Sequence, residues 1–341
     1  MAAIRGKLLR WYDGAGRDLP WRHTRDPYAV WVSEVMLQQT RVETVIPYYE
    51  RFLASFPTAR ALAEAEEDTV LSHWSGLGYY RRARLLHAGV RELVAEYGGK
   101  VPEDAEARRA LPGVGRYTAG AIGSIAFGKE EAVVDGNVTR VLARLFRIQT
   151  PVGTSATTRR LWEEATRLVI GERPGDFNQA LMELGATVCK PKQPRCDACP
   201  VASSCEALAH GEVEGLPVAR ARKAPKEVSL AAVVATHGRG PGRKVWLVKG
   251  EQALFGGLWG VPMGEGSARA LLREAGLRAR IGAGPVAGVE HMLTHRHLRI
   301  DVYRAAAARG EESKTKRRFE ADDLGRVGVS TLTKKILAAA M

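Results

Sequence analysis

The sequence predicts a mostly α chain that ends in a smaller α+β domain. Three observations predict it. From Arg5 to Ala209 apolar residues recur at three- and four-residue spacings, punctuated by Gly or Pro, as in successive amphipathic helices. Between residues 210 and 227 (HGEVEGLPVARARKAPKE) the periodicity fails and Gly, Pro and basic residues accumulate, as in an exposed linker. Beyond it, VSLAAVVAT and KVWLVKG read as strands, SARALLREAGL as a helix and the run from Val302 to Ala306 as a further strand. The expected organisation is therefore a helical domain over 1–209, a linker over 210–227 and an α+β domain over 228–341.

The bulk composition agrees with two buried cores. With 341 residues, 45% hydrophobic and 26% charged, the chain is long enough for two domains and too apolar to be disordered. Its formal charge of +13 suits a partner rich in phosphates, although charge alone favours nucleic acid only modestly. Residues 1–21 contain no signal-type apolar core, and no later stretch reaches the roughly 18 apolar residues of a membrane helix. A cytoplasmic, nucleoid-associated protein that makes no membrane contact and acts as a monomer is expected.

In chain order, the first well-marked helix starts at Asp26-Pro27, a cap followed by a first-turn proline. Its apolar stripe (Val32, Val35, Met36, Val42, Val45, Ile46) predicts one continuous helix up to Pro47. On it, Glu34 has Val30, Trp31 and Leu37 as helical neighbours. Such a setting raises a carboxyl pKa and keeps the group protonated near neutrality.

Next, Leu111-Pro112-Gly113-Val114-Gly115 lies between a helix ending near Ala110 and another running from Arg116 to Ala126. Two glycines around an apolar residue let the backbone approach a ligand closely, and the second helix offers free N–H groups to a phosphate. An ordinary helix–helix turn is the alternative. Asp135 then opens a helix marked by Val138, Val141, Leu142 and Leu145. It is either a plain N-cap, a job Asn137 does equally well, or an ionised carboxylate placed to stabilise positive charge.

All four cysteines, Cys189, Cys196, Cys199 and Cys205, fall within 17 consecutive positions, with six, two and five residues between them. This argues for one metal site rather than a disulfide framework. The spacing departs from the paired knuckles of a four-cysteine zinc site and favours one iron-sulfur cluster of the [4Fe-4S] kind. Pro191, Pro194 and Pro200 stiffen the loop, and Lys190, Lys192 and Arg195 surround it with positive charge.

Hairpin, aspartate and cysteine loop, in that order, resemble the iron-sulfur branch of the helix-hairpin-helix DNA glycosylases over roughly the first two thirds of the chain. Within that family, members of the endonuclease III type carry a lysine just after the hairpin and cut the strand through a Schiff base. Tyr117 stands there instead, which implies weak or absent strand cutting. Residues 31–52 (WVSEVMLQQTRVETVIPYYERF), the run Arg17-Asp18-Leu19-Pro20-Trp21, Gly76-Leu77-Gly78-Tyr79-Tyr80 and the Val-Asp-Gly-Asn-Val motif of residues 134–138 resemble the adenine-excising branch. That resemblance implies a monofunctional glycosylase acting on double-stranded DNA with adenine opposite 8-oxoguanine or guanine.

The resemblance also implies roles. Glu34 would protonate the adenine ring and Asp135 would stabilise the cationic sugar. Tyr117 and Asn137 would line the sugar and orient Asp135. Arg17, Leu19 and Trp21 would surround the flipped adenine, Gln39 and Tyr79 would be wedges, and Gln179 would support them. Gly113 and Gly115 would hold the DNA backbone.

The stretch from Val228 onward resembles a MutT-like, Nudix-related domain. Its helix offers Glu274 alone where a Nudix hydrolase needs a run of glutamates for magnesium, so a reading domain rather than a second enzyme is expected. Leu293, Thr294 and His295 align with a loop that contacts 8-oxoguanine. A metal site built from His291, His295 and His297 is the weaker alternative.

Overall fold

A computed structural model describes residues 1–220, 224–238, 240–250, 255–293, 295–320 and 322–341. The chain forms two compact units: Met1–Ala63 with Leu85–Arg222, and Glu64–Arg84 with Lys223–Met341.

The helices of the first two thirds are α1 (Ala2–Ala15), α2 (Pro27–Leu37), α3 (Val42–Ser55), α4 (Ala59–Glu64), α5 (Glu67–His73), α6 (Arg81–Tyr97), α7 (Ala105–Ala110), α8 (Arg116–Phe127), α9 (Gly136–Leu145), α10 (Ser155–Val169), α11 (Pro174–Thr187) and α12 (Glu206–Ala209). In the first unit α2 and α8 form the centre. Every residue of α2 from Tyr28 to Met36 is buried, as is α8 from Thr118 to Ile125. Helices hydrophobic all round belong inside a bundle, and these two pack on each other, on α3 and on α11. Asp26 caps α2 by accepting a hydrogen bond from the Tyr28 amide at 3.0 Å, which sets where the helix starts.

The single helix expected over 26–47 is two. α2 ends at Leu37, Gln39 adopts φ +58°, and α3 begins at Val42 with Pro47 inside it. The intervening Gln38-Gln39-Thr40-Arg41 has no apolar residue to continue a buried stripe. Pro47 and Glu43 are exposed, so the Glu43 carbonyl that loses its helical partner meets water.

The hairpin joins α7 and α8. Gly113 has φ +78°, and a Cβ there would lie 2.8 Å from the Leu85 side chain, so the turn admits only glycine. Leu111 and Val114 anchor it in the core, and Gly115 ends it as the N-cap of α8. The buried Arg108 ties the hairpin down, bonding the Ala119 carbonyl at 3.2 Å and Glu131 at 2.5 Å.

The linker expected from residue 210 begins later. Val213 and Leu216 are buried with Ala207, against Cys196, Cys205 and Val218. Arg144 Nε donates to the Leu216 carbonyl at 2.9 Å, and Arg147 pairs with Glu212 at 2.6 Å. Two apolar residues in a stretch without periodicity are enough to dock it, a contact no pattern search reveals.

In the second unit the strands are β1 (Lys226–His237), β2 (Lys244–Lys249), β3 (Trp259–Gly260), β4 (Met263–Gly264), β5 (Arg278–Ile281), β6 (Ala287–Met292), β7 (Arg296–Arg309) and β8 (Lys316–Phe319). The main path runs β3-β2-β1-β7-β5, with β4 on β1, β6 on β7 and β8 on β2. β1 and β7 pair in parallel from Lys226↔Arg296 to Ala235↔Ala305. Helices α13 (Ala268–Glu274) and α14 (Thr331–Ala340) each cover an apolar cluster, and α14 packs on β1, β6 and β7. The strands β3, β4, β5 and β8 escape sequence reading because two to four residues carry too little pattern, and β6 because AGVEHM lacks a clear alternation.

Residues 64–84 join this unit through polar contacts. Lys249 Nζ lies 2.8 Å from Asp68, Trp259 Nε1 donates to Asp68 at 3.4 Å, and the hydroxyl of Tyr80 donates to the Val329 carbonyl at 3.1 Å.

Candidate active site

One cavity of about 500 Å³ in the first unit gathers Arg17, Leu19, Trp21, Glu34, Gln39, Tyr117, Asp135, Asn137 and Gln179. Their elements are far apart in sequence: the entry segment before α2, the buried face of α2, the α2–α3 break, the first turns of α8 and α9, and the middle of α11. Dense packing of α2 against α8 brings Glu34 and Tyr117 together, and the close approach of α9 and α11 adds Asp135. That approach requires Gly185, where a Cβ would lie 2.6 Å from Cβ of Asn137.

Glu34 is 4% exposed. Tyr117 Oη donates to its Oε2 at 2.6 Å and also approaches the Met182 sulfur at 3.3 Å. Burial raises the Glu34 pKa from its ordinary 4.5 to about 7; the Tyr117 hydrogen bond opposes the rise, the nearby Asp135 adds to it and Arg22 opposes it. The carboxyl is thus poised between its acid and base forms at neutral pH. Tyr117 itself is pushed well up by burial and by Glu34 and Asp135, so it stays a donor. Replacing Tyr117 with Phe removes the bond that favours ionised Glu34, and the Glu34 pKa should move above about 7. Carboxyl-carbon NMR titration of the two proteins checks this, and an unchanged or lower value would contradict it.

Asp135 is the N-cap of α9. Its Oδ1 accepts from the Val138 amide at 2.7 Å, and its Oδ2 accepts from Asn137 Nδ2 at 3.2 Å. Burial lifts its pKa above the ordinary carboxyl value, and the Val138 and Asn137 hydrogen bonds and Arg140 oppose that rise without cancelling it. Of the two alternatives in the sequence, the cap is present: Val138 takes one oxygen, and the other accepts from Asn137 on the cavity side. Asn137 is in turn oriented by Arg140, whose guanidinium donates to Asn137 Oδ1 at 2.8 Å and to the Cys189 carbonyl at 2.7 Å.

Sequence reasoning missed Glu183 and Arg22. Glu183 accepts from Arg17 Nε and from Arg22, each at 2.7 Å. Burial pushes its pKa up, but these guanidinium hydrogen bonds more than reverse that and leave it below the usual carboxylate range. Arg17 therefore spends its guanidinium on a protein carboxylate. The available signal was the i+4 spacing of Glu183 from Gln179 on α11, which puts both on one helix face. Trp21 packs edge-on against Tyr49 at 5.5 Å and is only 7% exposed, so it is a wall of the cavity.

The other expected residues lie outside this cavity. Tyr79 is in the second unit, 50% exposed, with φ +47°. Gly113 and Gly115 form the hairpin. Leu293 is half-buried and packs on the apolar cluster under α14, and His295 is exposed; Thr294 lies outside the described residues. His297 is held by Glu227 at 2.8 Å and Glu290 at 3.3 Å. Among the described residues no three His, Cys, Asp or Glu side chains are gathered for a single metal ion.

The four cysteines share one loop and are all half-buried. Arg144 donates to Cys189 Sγ at 3.2 Å and to the Lys190 carbonyl at 2.8 Å. Burial pushes the Cys199 thiol up to about 11, and the charges of the other three cysteines push the same way.

Residues 32–167 match the family described as HhH-GPD superfamily base excision DNA repair protein. A solved thermostable thymine-DNA glycosylase superposes with a TM-score of 0.55 at 32% identity, over 61% of this chain and 96% of that one. The chain belongs to the HhH-GPD superfamily. Residues 232–339 of this HhH-GPD protein match the NUDIX domain family in addition. Adenine DNA glycosylase of Homo sapiens is 52% identical over 235 residues, covering 64% of this chain and 43% of its own. That of Arabidopsis thaliana is 42% identical over 296 residues, covering 76% and 47%. The chain thus spans less than half the length of these curated relatives. No helix among the described residues is long and apolar enough to cross a membrane.

Proposed function

We propose that this HhH-GPD protein is a monofunctional adenine DNA glycosylase, which hydrolyses the N-glycosidic bond of adenine mispaired with 8-oxoguanine, or with guanine, in duplex DNA. The observation that carries this reading is the pair of carboxyls in one cavity, Glu34 buried and Asp135 half-buried. Glu34 has its pKa near 7 and Asp135 is held on the first turn of α9. The names of the human and Arabidopsis relatives support adenine as the base.

Protonated Glu34 transfers its proton to N7 of a flipped adenine. The C1′–N9 electron pair then leaves with the base, and positive charge develops on the sugar. The Asp135 carboxylate, oriented by Asn137, stabilises that charge. Water adds its oxygen to C1′ and gives up a proton to a carboxylate, which restores the acid. No lysine is among the described residues that line the cavity, and Tyr117 is bonded to Glu34, so no amine is at hand for a Schiff base and strand cutting.

The four cysteines fit one [4Fe-4S] cluster. They supply four half-buried thiols on one loop, close enough to feel each other's charge, with Arg144 turned toward Cys189. A cluster is larger than a single ion and holds its thiolates farther apart. When bound it would cross-link the loop that Arg140 and Arg144 already clasp, a scaffold role. Assays of the purified protein should find four irons and four acid-labile sulfides per chain, whereas one zinc would sink the assignment.

The functional test uses duplexes carrying adenine opposite 8-oxoguanine, or thymine glycol opposite adenine, with and without hot alkali. Cleavage of the adenine strand only after alkali is expected. Scission of the thymine-glycol duplex without alkali would instead favour a lyase, and no product on either duplex would favour a non-catalytic DNA-binding protein.

A further inference from the structure

We propose a second phosphate-binding site, on the Nudix-related unit, where a cleft rimmed by Arg269, Arg273, Arg278 and Arg280 takes the phosphodiester backbone of duplex DNA. The cleft has a volume of about 730 Å³ and lies between α13 and β5. All four arginines are exposed, and among the described residues none forms an ion pair or a side-chain hydrogen bond. By contrast, the surface arginines Arg147, Arg173 and Arg318 each pair with a carboxylate, Glu212, Asp13 and Glu312 respectively. Four unpaired guanidinia around one concavity, with Glu274 as the sole acid in residues 268–281, repel one another unless an anion joins them.

The scaffold under them is rigid. Leu272 and Leu277 form an apolar floor that is part of the cluster with Val233, Trp246 and Ala305, so the backbone of α13 and β5 that carries the arginines rests on packed core. Lys316 closes the lip by donating to the Gly276 carbonyl at 3.2 Å and adds a further cation. Planar guanidinium groups on two elements suit a chain of phosphates better than one small anion, because each offers a fork of donors to a separate phosphate. The carboxylates that would bind magnesium on this helix are missing, which leaves recognition of phosphate without hydrolysis. DNA as the source of the phosphate rests on the function proposed above; the anionic chemistry does not.

The test replaces all four arginines by Gln in the full chain and measures binding to an undamaged duplex across a series of salt concentrations. Each phosphate contact contributes roughly 0.9 to the slope of log affinity against log salt, so the variant slope should be shallower by about 2 or more. An unchanged slope would overturn the proposal. Inorganic pyrophosphate titrated onto both proteins separates the sources. Tight pyrophosphate binding that the variant loses, with the DNA slope unchanged, would assign the cleft to a small anion and overturn the DNA reading. Adenine release by the variant at saturating enzyme checks its folding and should match wild type. If wild type itself releases no adenine, the glycosylase reading fails, while the slope on undamaged duplex still judges this site.

Discussion

Glu34→Gln should lower the single-turnover rate of adenine release by about 10² to 10⁴, the usual worth of general-acid help, while affinity for the mispaired duplex stays within a few-fold. Gln keeps the shape and still accepts the hydrogen bond that Tyr117 donates at 2.6 Å, so the change removes the proton and little else. The wild-type rate should fall about tenfold per pH unit above about 7, where Glu34 ionises, and fall again on the acid side where Asp135 takes up a proton; the residual rate of the variant should lack the alkaline limb. Normal turnover in the variant, or the same limb in both proteins, would defeat the assignment.

The same substitution has a stability signature. A carboxyl whose folded-state pKa is raised gives its full stability below the unfolded value, near pH 4.5, and loses it as pH rises through about 7. At pH 8 ionised Glu34 costs on the order of 3 kcal/mol. Glu34→Gln should therefore melt above wild type at pH 8, with the gap closing toward pH 4.5. A gap that widened toward acid would mean that Glu34 is stabilising as a carboxylate.

Asp135→Asn should lower adenine release by about 10² to 10³, the scale found when one preorganised electrostatic group is removed from a site where charge develops. Asn is as good an N-cap as Asp, so the Val138 amide at 2.7 Å keeps an acceptor, while the new NH2 loses the hydrogen bond from Asn137; the melting temperature should fall only slightly. Asp135→Ala separates the two jobs, because it removes cap and charge together and should cost about 1 kcal/mol more in stability. Activity retained by Asn would reduce Asp135 to a helix cap.

Much of the site was legible in the sequence because its residues lie on elements with strong local rules. Glu34 sits on a helix with Val30, Trp31 and Leu37 as apolar neighbours, and Asp135 stands three residues before a periodic stripe. Gly113 of the hairpin is required by its positive φ and by its contact with Leu85. The four cysteines announce themselves by spacing. What was not legible depends on contacts without period. The break at Gln39, the docking of Val213 and Leu216 on the cysteine loop, and the joining of residues 64–84 to the second unit are set by single packing or hydrogen-bond choices. Glu183 went unnoticed because its meaning comes from Arg17 and Arg22, more than 160 positions away.

Fold class, the hairpin, the clustering of four cysteines and which two carboxyls to weigh could be read from the chain alone, since helical period, turn chemistry and residue spacing are local properties. The surroundings of those carboxyls come from tertiary packing. The burial that lifts Glu34 to about 7, the Tyr117 bond that restrains it and the Asn137 contact that aims Asp135 arise from α2, α8, α9 and α11 packing together. A pKa is set by the atoms around a group, and most of those atoms are distant in the chain.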